Sequence, residues 1–329
     1  MRILGIESTC DETGSAVVED GVKVISNVVS SSLRFHKKYG GVVPEVAARE
    51  QVKVIIPTID KSLEGIQIES IDSIAVSYGP GLIGPLLIGV ECAKALSFAW
   101  NKPLVGVNHL VGHIYSCWLD SKDVPKFPLI ALIVSGGHTD LVYMKGHKDY
   151  KWLGGTRDDA AGEVFDKIAR KLGLSYPGGP EIEKSAYKWD GELKRIFTRP
   201  MISDKSFDFS FSGLKTQVIN FINKTGTSNV NVSMIAYEFQ EAIADTLVEK
   251  TLRAAIQFAA KSIVVGGGVA ANQIIKQKME YSGTNAFKIF FPNRVHAIDN
   301  GAMIGAAAFF NYKKILPLTL SADPSLHFA

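Results

Sequence analysis

Residues 3–14 read ILGIESTCDETG, and residues 129–140 read LIALIVSGGHTD. In each stretch an apolar run typical of a buried β-strand leads into a short turn of small polar residues, after which a second strand begins. A third strand pattern completes each unit, at residues 22–29 and 150–153. The two three-stranded units look like copies of each other and predict a duplicated fold.

Alternating helix and strand patterns follow both units. Helical patterns occupy residues 45–63, 85–100, 110–118, 159–172, 232–260, 270–279 and 298–310, and strand patterns occupy residues 71–77, 104–107, 263–265 and 287–291. Such alternation predicts an α/β protein whose mixed, largely parallel sheets are covered on both faces. We therefore expect two similar lobes around a central cleft.

Two prolines, Pro125 and Pro128, mark the predicted boundary between the lobes because prolines favour turns and linkers. The predicted lobes are residues 1–124 and 125–329. Between residues 178 and 228 the regular alternation is lost, and this stretch is predicted to be an insertion built on the second lobe.

The composition is that of an ordinary globular protein: 329 residues, 46% hydrophobic, with a net charge of +3. It excludes a disordered chain, and the small net charge neither favours nor excludes nucleic-acid binding. The most apolar stretch, residues 301–310, is shorter than the ~20 residues that cross a bilayer, so no membrane span is predicted. Three cysteines without CxxC spacing favour neither a disulfide framework nor a zinc site made of cysteines. We expect a cytoplasmic protein.

Three glycine-containing turns could bind a nucleotide. Either of the turns at residues 8–14 and 135–139 alone is more typical of an ordinary hairpin, but the pair together favours a phosphate held on backbone N–H groups. The turn at residues 266–272 could accept a base or ribose beside Asn272, unless its glycines only meet a steric need. By contrast, residues 79–84 match GxGxxG, but the next strand lacks the acid of a dinucleotide site, which favours a tight packing turn.

His109 and His113 are four residues apart in a helical segment, which is the spacing of two ligands for one metal ion. The sequence lacks the HExxH pattern of metallopeptidases. A third ligand is required, and Asp299 could supply it across the cleft between the lobes. The alternative role for Asp299 is to cap the last apolar helix.

Together these motifs resemble the universal tRNA threonylcarbamoyladenosine transferases, in the superfamily of actin, sugar kinases and heat-shock chaperones. The matching segments run nearly from end to end: residues 3–14, 39–49, 108–113, 134–139, 158–180, 207–216, 266–268 and 299–301. The form of the first and fourth segments is similar to the bacterial and organellar branch. The resemblance implies a duplicated, actin-like, two-lobed fold.

The resemblance also implies functional residues. One divalent metal ion, iron or zinc, would be held by His109, His113 and Asp299. The threonylcarbamoyl-AMP donor would be bound by residues along the second lobe: Ile133, Val134, Ser135, Gly136, Gly137, Asp166, Gly179, Glu183 and Asn272. Glu183 stands where the bacterial pattern has aspartate.

The activity implied by the resemblance is transfer of the threonylcarbamoyl group to the exocyclic amine of the adenosine that follows the anticodon in tRNAs reading ANN codons, with release of AMP. The metal and the N–H groups of residues 135–137 would stabilise charge on the carbamoyl oxygen. Asp11 or Glu12 is the predicted catalytic base. Implied partners are tRNA, an inactive paralogue subunit and a small ATPase subunit, with no membrane.

The sequence allows two interpretations of the region that could contact tRNA. Residues 184–199 are locally basic and include Tyr187 and Trp189 as stacking surfaces, but a solvated surface explains them equally well. Two rival functions also remain. An ATP-dependent kinase of the same superfamily would not need the histidine pair, and a non-catalytic paralogue would be expected to lose the metal ligands and glycine turns.

Overall fold

The computed structural model describes residues 1–226, 230–283 and 286–328. By internal packing the chain divides into two compact units: unit 1 comprises Met1–Val124 and Pro292–Ala329, and unit 2 comprises Pro125–Phe291. The division after residue 124 coincides with the predicted boundary. The return of the C-terminal segment to unit 1 differs from the prediction of one continuous lobe at 125–329.

Strands and helices alternate as the sequence patterns predict. The strands are β1 (Arg2–Glu7), β2 (Glu12–Glu19), β3 (Lys23–Ser31), β4 (Ser73–Gly79), β5 (Leu104–Asn108), β6 (Leu129–Val134), β7 (Thr139–Gly146), β8 (Asp149–Gly155), β9 (Ser262–Gly266) and β10 (Lys288–Phe290). The α-helices within the described residues are α1 (Leu33–His36), α2 (Pro44–Ser62), α3 (Ile83–Ala99), α4 (His109–Tyr115), α5 (Ala161–Lys171), α6 (Gly178–Ala186), α7 (Ser212–Thr225), α8 (Val232–Gln257), α9 (Gln273–Gly283) and α10 (Gly301–Phe310).

Each unit contains one five-stranded mixed sheet, and the two sheets have the same topology. The strand orders are β3-β2-β1-β4-β5 in unit 1 and β8-β7-β6-β9-β10 in unit 2. In both sheets the first three strands are antiparallel and the last two run parallel to the first. The prediction of a duplicated α/β fold is therefore confirmed at the level of strand connectivity.

Helix α10 explains why the C-terminal segment belongs to unit 1. It packs on β1, β2 and α4, and its first eight residues are buried. Gly5 of β1 lies so close to the helix that a Cβ placed there would be 2.1 Å from the Gly301 carbonyl oxygen. Tight backbone contact of this kind is a tertiary property, which the helical pattern of residues 298–310 could not reveal.

The predicted insertion at residues 178–228 lies within unit 2, and residues 227 and 228 fall outside the described residues. It contains α6 and α7, which pack against α5 and α8, and the buried side chains of Phe207, Phe209 and Phe211. Helix α6 begins with Gly-Gly-Pro, a poor helix-forming start, so the sequence reveals it weakly. Along the described parts of the chain, no helix combines the length and apolarity that crossing a membrane requires.

Candidate metal and nucleotide site

The proposed metal ligands converge within unit 1. His109 and His113 lie one turn apart on α4, directly after β5, and Asp299 lies in the turn before α10. One ligand atom from each residue falls within 4.8 Å of the others. The Asp299 Oδ1 is 3.3 Å from Nε2 of His113 and 3.7 Å from Nε2 of His109. The expectation that Asp299 approaches from the second lobe is wrong, because α10 and the turn before it belong to unit 1.

Asn300, rather than Asp299, caps α10. Its side-chain oxygen accepts a hydrogen bond from the Met303 N–H at 3.0 Å, and its amide donates to the Ile298 carbonyl at 2.6 Å. An N-cap side chain satisfies an N–H group that the helix leaves unpaired. Asn300 meets this need, and the Asp299 carboxylate lies beside the two histidines instead.

His113 provides the test of whether these residues suit a metal ion. Its ring is fully buried; among the described residues Nδ1 has no hydrogen-bond partner, and Nε2 faces the Asp299 carboxylate at 3.3 Å without forming a hydrogen bond. An unpaired buried polar atom costs about 1–3 kcal/mol, so natural proteins rarely leave one. Two imidazoles and a carboxylate are a normal ligand set for a divalent metal, and the residues present therefore fit the ion that the resemblance implies.

Glu7, which the sequence patterns did not single out, orients His109. Its Oε2 is 2.9 Å from His109 Nδ1, and its Oε1 accepts a hydrogen bond from the Thr9 N–H at 2.6 Å. The carboxylate is completely buried at the end of β1. A carboxylate bound to one ring nitrogen places the proton there and leaves the other nitrogen as a metal ligand. An acid ending an otherwise apolar strand was the available signal.

The two acids around His109 also control its protonation. Burial lowers the pKa of His109, but the charges of Glu7 and Asp299 and the hydrogen bond that the ring donates to Glu7 outweigh it and raise the pKa to about 9. When no metal is bound, this raised pKa favours the protonated imidazole. Metal binding must displace that proton, which makes affinity depend on pH.

The predicted bases, Asp11 and Glu12, lie in the turn that joins β1 to β2. Glu12 Oε1 accepts a hydrogen bond from Ser31 Oγ at 2.9 Å, whereas its buried Oε2 has no hydrogen-bond partner among the described residues. Burial and the charge of Asp11 raise the pKa of Glu12 to about 7. Burial and the charge of Asp299 also raise the pKa of Asp11.

A buried glutamine holds this acidic turn in place. The Gln51 side-chain amide approaches the carbonyl oxygens of Ser8, Cys10 and Glu12 at 3.3, 3.1 and 3.1 Å. A side chain that bonds to three carbonyls fixes a turn as regular secondary structure would. The carboxylates thus sit on a rigid support.

The corresponding turn of unit 2, which follows β6, has an exposed backbone. The Ser135 N–H donates to the His138 carbonyl at 2.9 Å, and the His138 N–H donates to Ser135 Oγ at 3.2 Å, which closes the turn. Gly136 and Gly137 are exposed, and a Cβ on either would meet no heavy atom within 4 Å. Ile133 and Val134 are fully buried, so only their backbone could contact a ligand.

The other predicted donor residues are linked to this turn by a ring of contacts in unit 2. Gly267 packs against the Val134 carbonyl, where a Cβ would be 2.4 Å away. Asp166 accepts a hydrogen bond from the Gly178 N–H at 2.6 Å, at the start of the helix that carries Gly179. Glu183 accepts from the Gln273 N–H at 2.6 Å. The Gly162 N–H of α5 donates to the Ser135 carbonyl at 3.2 Å, so the contacts join the turn to α5, α6, α9 and the residues that follow β9.

Asn272 is the N-cap of α9. Its side-chain oxygen accepts hydrogen bonds from Ile274 and Ile275 N–H at 3.1 and 3.2 Å, and its amide donates to Gln240 at 3.3 Å. Both the oxygen and the amide of Asn272, which were predicted to face a base or ribose, are therefore engaged in hydrogen bonds within the protein. The GxGxxG turn is a packing turn, as expected, because a Cβ on Gly81 would be 2.7 Å from the Thr9 carbonyl oxygen.

Comparison with known proteins supports the family resemblance that the sequence motifs indicated. The family model described as tRNA N6-adenosine threonylcarbamoyltransferase matches residues 23–306. A protein of that name from Moorella thermoacetica is 48% identical over 99% of this chain and 96% of its own length. The chain belongs to this family. Its members are transferases, and so is this chain.

Solved structures at low identity support the fold alone. The (R)-2-hydroxyglutaryl-CoA dehydratase component A of Acidaminococcus fermentans is 14% identical, with a TM-score of 0.56, over 94% of this chain and 98% of that one. The HypF structure from T. kodakarensis is 17% identical, with a TM-score of 0.63, over 94% of this chain and 47% of that one. The duplicated actin-like α/β fold class is confirmed.

Proposed function

We propose that this chain transfers a threonylcarbamoyl group from threonylcarbamoyl-AMP to the exocyclic amine of the adenosine that follows the anticodon in tRNAs reading ANN codons. The family match over residues 23–306 carries this proposal. In the reaction the amine nitrogen forms a bond to the carbamoyl carbon, the bond from that carbon to the phosphate oxygen breaks, and AMP leaves with the electron pair. The amine loses one proton.

His109, His113 and Asp299 would hold the metal ion of unit 1. When bound there, the ion supplies Lewis-acid stabilisation of the charge that develops on the carbamoyl oxygen. Two histidines and one carboxylate bind iron in non-haem iron sites and zinc in several hydrolases, and we propose iron as the ion to test first. Metal analysis of protein purified without oxygen tests this identity, with His147→Ala as a histidine control in unit 2.

Glu12 is the favoured catalytic base of the two acids predicted. Its unpartnered Oε2 can accept a proton without breaking an existing hydrogen bond, and a base that titrates near neutral pH is efficient. Asp11 raises the proton affinity of Glu12 through its charge. Glu7 keeps the His109 ring in one orientation throughout.

Unit 2 supplies the proposed donor-binding residues. Backbone groups of Ser135, Gly136 and Gly137 would contact the anionic part of threonylcarbamoyl-AMP, because exposed glycine backbone allows close approach. Asp166 and Glu183 hold α5, α6 and α9 together around that turn. In the chain's own structure they act as supports, which leaves Gly179 as the open position of α6.

The central experiment incubates the chain with threonylcarbamoyl-AMP and unmodified tRNA, with and without candidate partner subunits. Nucleoside mass spectrometry should detect threonylcarbamoyladenosine together with an equal amount of AMP. A phosphorylated product formed from ATP instead would favour the kinase alternative. Failure to form the nucleoside under any partner condition would favour the non-catalytic alternative.

An exposed apolar face on unit 1 supports the proposal of a protein partner, such as an inactive paralogue. Val52 and Ile56 of α2 and Ile83 and Leu87 of α3 are one helical turn apart in each helix and are 44–63% exposed. The two helices pack side by side. Contiguous exposed apolar residues commonly mark protein interfaces. The double variant V52E/L87E should remain folded and lose binding to the paralogue. We assign no surface to the small ATPase subunit.

A further inference from the structure

A cavity of ≈ 720 Å³ lies on unit 2 between α8, α9 and the segment 195–202. None of its lining residues belongs to the predicted donor-binding set. Arg195 and Tyr281 contribute to its lining, and Val248 and Leu252 provide apolar surface from α8. Its size is within the normal range for small-molecule sites.

Arg195 is held at the cavity in an unusual backbone conformation. Its φ is 53°, a left-handed value that is costly for an arginine. The flanking N–H groups of Lys194 and Ile196 donate to the two oxygens of Glu238, at 2.5 and 3.1 Å. Glu238 is completely buried on α8. Because the buried carboxylate binds the N–H groups on both sides of Arg195, it fixes the backbone there and the direction of the Cα–Cβ bond.

The charge of Arg195 is available to a ligand. Two other cations of the cavity are neutralised internally: Arg199 pairs with Asp245, and Lys278 pairs with Asp245 and Glu241. Within the described residues, the Arg195 guanidinium has neither an ion-pair nor a hydrogen-bond partner. An exposed arginine at a cavity, on a backbone held in place by Glu238, is suited to a phosphate group, which it can bind through two N–H groups.

Tyr281 supplies the second recognition element. Its side chain is 90% exposed on α9, although burying a tyrosine ring is favourable. Exposed aromatic rings next to basic residues are the usual platform for unstacked RNA bases. Residues 184–199, which include Arg195, contain five basic and two acidic residues, so this short segment alone has a net charge of +3.

We propose that this cavity binds one unpaired nucleotide of the tRNA acceptor, with its phosphate on Arg195 and its base stacked on Tyr281. The inference rests on the proposed function, because it takes the acceptor to be tRNA. Tyr281 is nine residues beyond Asn272 on α9, or about 14 Å at the helical rise of 1.5 Å per residue. The bound nucleotide is therefore a neighbour of the modified adenosine along the RNA, and not the adenosine itself.

The test measures binding of an anticodon stem-loop RNA to the full chain by fluorescence anisotropy at several salt concentrations. Arg195→Ala should weaken binding about tenfold and reduce the slope of log affinity against log salt by about 0.7, the value for one contact to a single strand. Tyr281→Ala should weaken binding about 5- to 100-fold without changing the slope. Tyr281→Phe keeps the ring and should bind as the wild type does.

Lys151→Ala, which removes an exposed cation from β8, is the matched charge control and should have less effect than Arg195→Ala. Ultraviolet cross-linking followed by mass spectrometry should attach a nucleotide to the peptide that contains Tyr281. Unchanged RNA affinity in both Arg195→Ala and Tyr281→Ala overturns the proposal, and so does loss of protein-partner binding in these variants at unchanged RNA affinity. Nucleoside formation by the wild type, measured separately, judges the proposed function.

Discussion

The turns that follow β1 and β6 occupy the same place in two sheets of identical topology, yet they have opposite character. The first carries Asp11 and Glu12, is held by Gln51, and lies in the unit that contains the histidine pair. The second consists of exposed glycine backbone. A duplicated framework has therefore given one turn side-chain acids and the other accessible N–H groups. The first turn offers carboxylates that can take up a proton, and the glycine backbone of the second is better suited to an anion.

The turns after β4 and β9 differ in the same way. In unit 1, a Cβ on Gly79 would be 1.9 Å from the Asp323 carbonyl, so chain from the C-terminal segment fills that turn. In unit 2, a Cβ on Gly268 would meet no heavy atom within 4 Å. The turn after β4 is therefore filled by the protein's own chain, whereas the turn after β9 has an open position at Gly268 beside the blocked Gly267.

The largest effect that would test this contrast is loss of the acid in the first turn. Glu12→Gln should lower kcat about 10²- to 10⁴-fold, because an amide cannot accept the proton of the attacking amine. Donor affinity, which we assign to unit 2, should change little. Steady-state kinetics with threonylcarbamoyl-AMP and tRNA measures both. If Asp11→Asn lowered kcat as much as Glu12→Gln does, the choice of Glu12 over Asp11 as the base would be contradicted.

The same substitution should change how stability depends on pH in the metal-free protein. The pKa of Glu12 is raised from 4.5 to about 7 in the folded state, so the folded chain binds the proton more tightly than the unfolded chain does. The stability from this proton is fully present below pH 4.5 and is lost as pH rises through 7. The full loss is about 3 kcal/mol.

Urea unfolding at pH 5 and pH 8 measures this loss. Wild-type chain should lose stability between the two values, and Glu12→Gln, which does not titrate, should lose correspondingly less. A parallel pH dependence in both proteins would show that Glu12 has an ordinary pKa.

Glu7→Gln should have the next largest effect. The amide cannot provide the charge that fixes His109, and loss of such a group costs about 10- to 100-fold in metal affinity. Competition with a chelator measures the affinity directly, and the effect should be specific to unit 1. Unaltered metal affinity would restrict Glu7 to a structural role.

Two glycines of unit 2 allow a structural role in packing to be distinguished from a role in leaving room for the donor. Gly267→Ala should destabilise the fold by about 1–3 kcal/mol, because its φ of 95° and ψ of 163° suit glycine alone and Val134 blocks the Cβ. Gly136→Ala should leave thermal stability nearly unchanged, since its surroundings are open, and should raise the KM for threonylcarbamoyl-AMP. Thermal unfolding and donor kinetics of both variants provide the comparison.

Much of the fold followed from local patterns. The strand, turn and strand sequences at residues 3–14 and 129–140 predicted the duplication, since apolar runs and turn residues act over a few neighbouring positions. The histidine pair was also visible, because residues four apart share one face of a helix. Helices α6 and α7 were obscured, since the sequence between residues 178 and 228 lacks the regular alternation found elsewhere.

Long-range packing decided the rest. Sequence alone could propose that Asp299 joins the histidines, but burial of α10 on β1 placed it in unit 1 and left capping to Asn300. Glu7 contacts His109 from 102 positions away, a relation that no local period encodes. Glu238 likewise holds Lys194 and Ile196 across more than 40 residues. Secondary structure depends on neighbours along the chain, whereas the position of a buried charge depends on which distant groups must satisfy it.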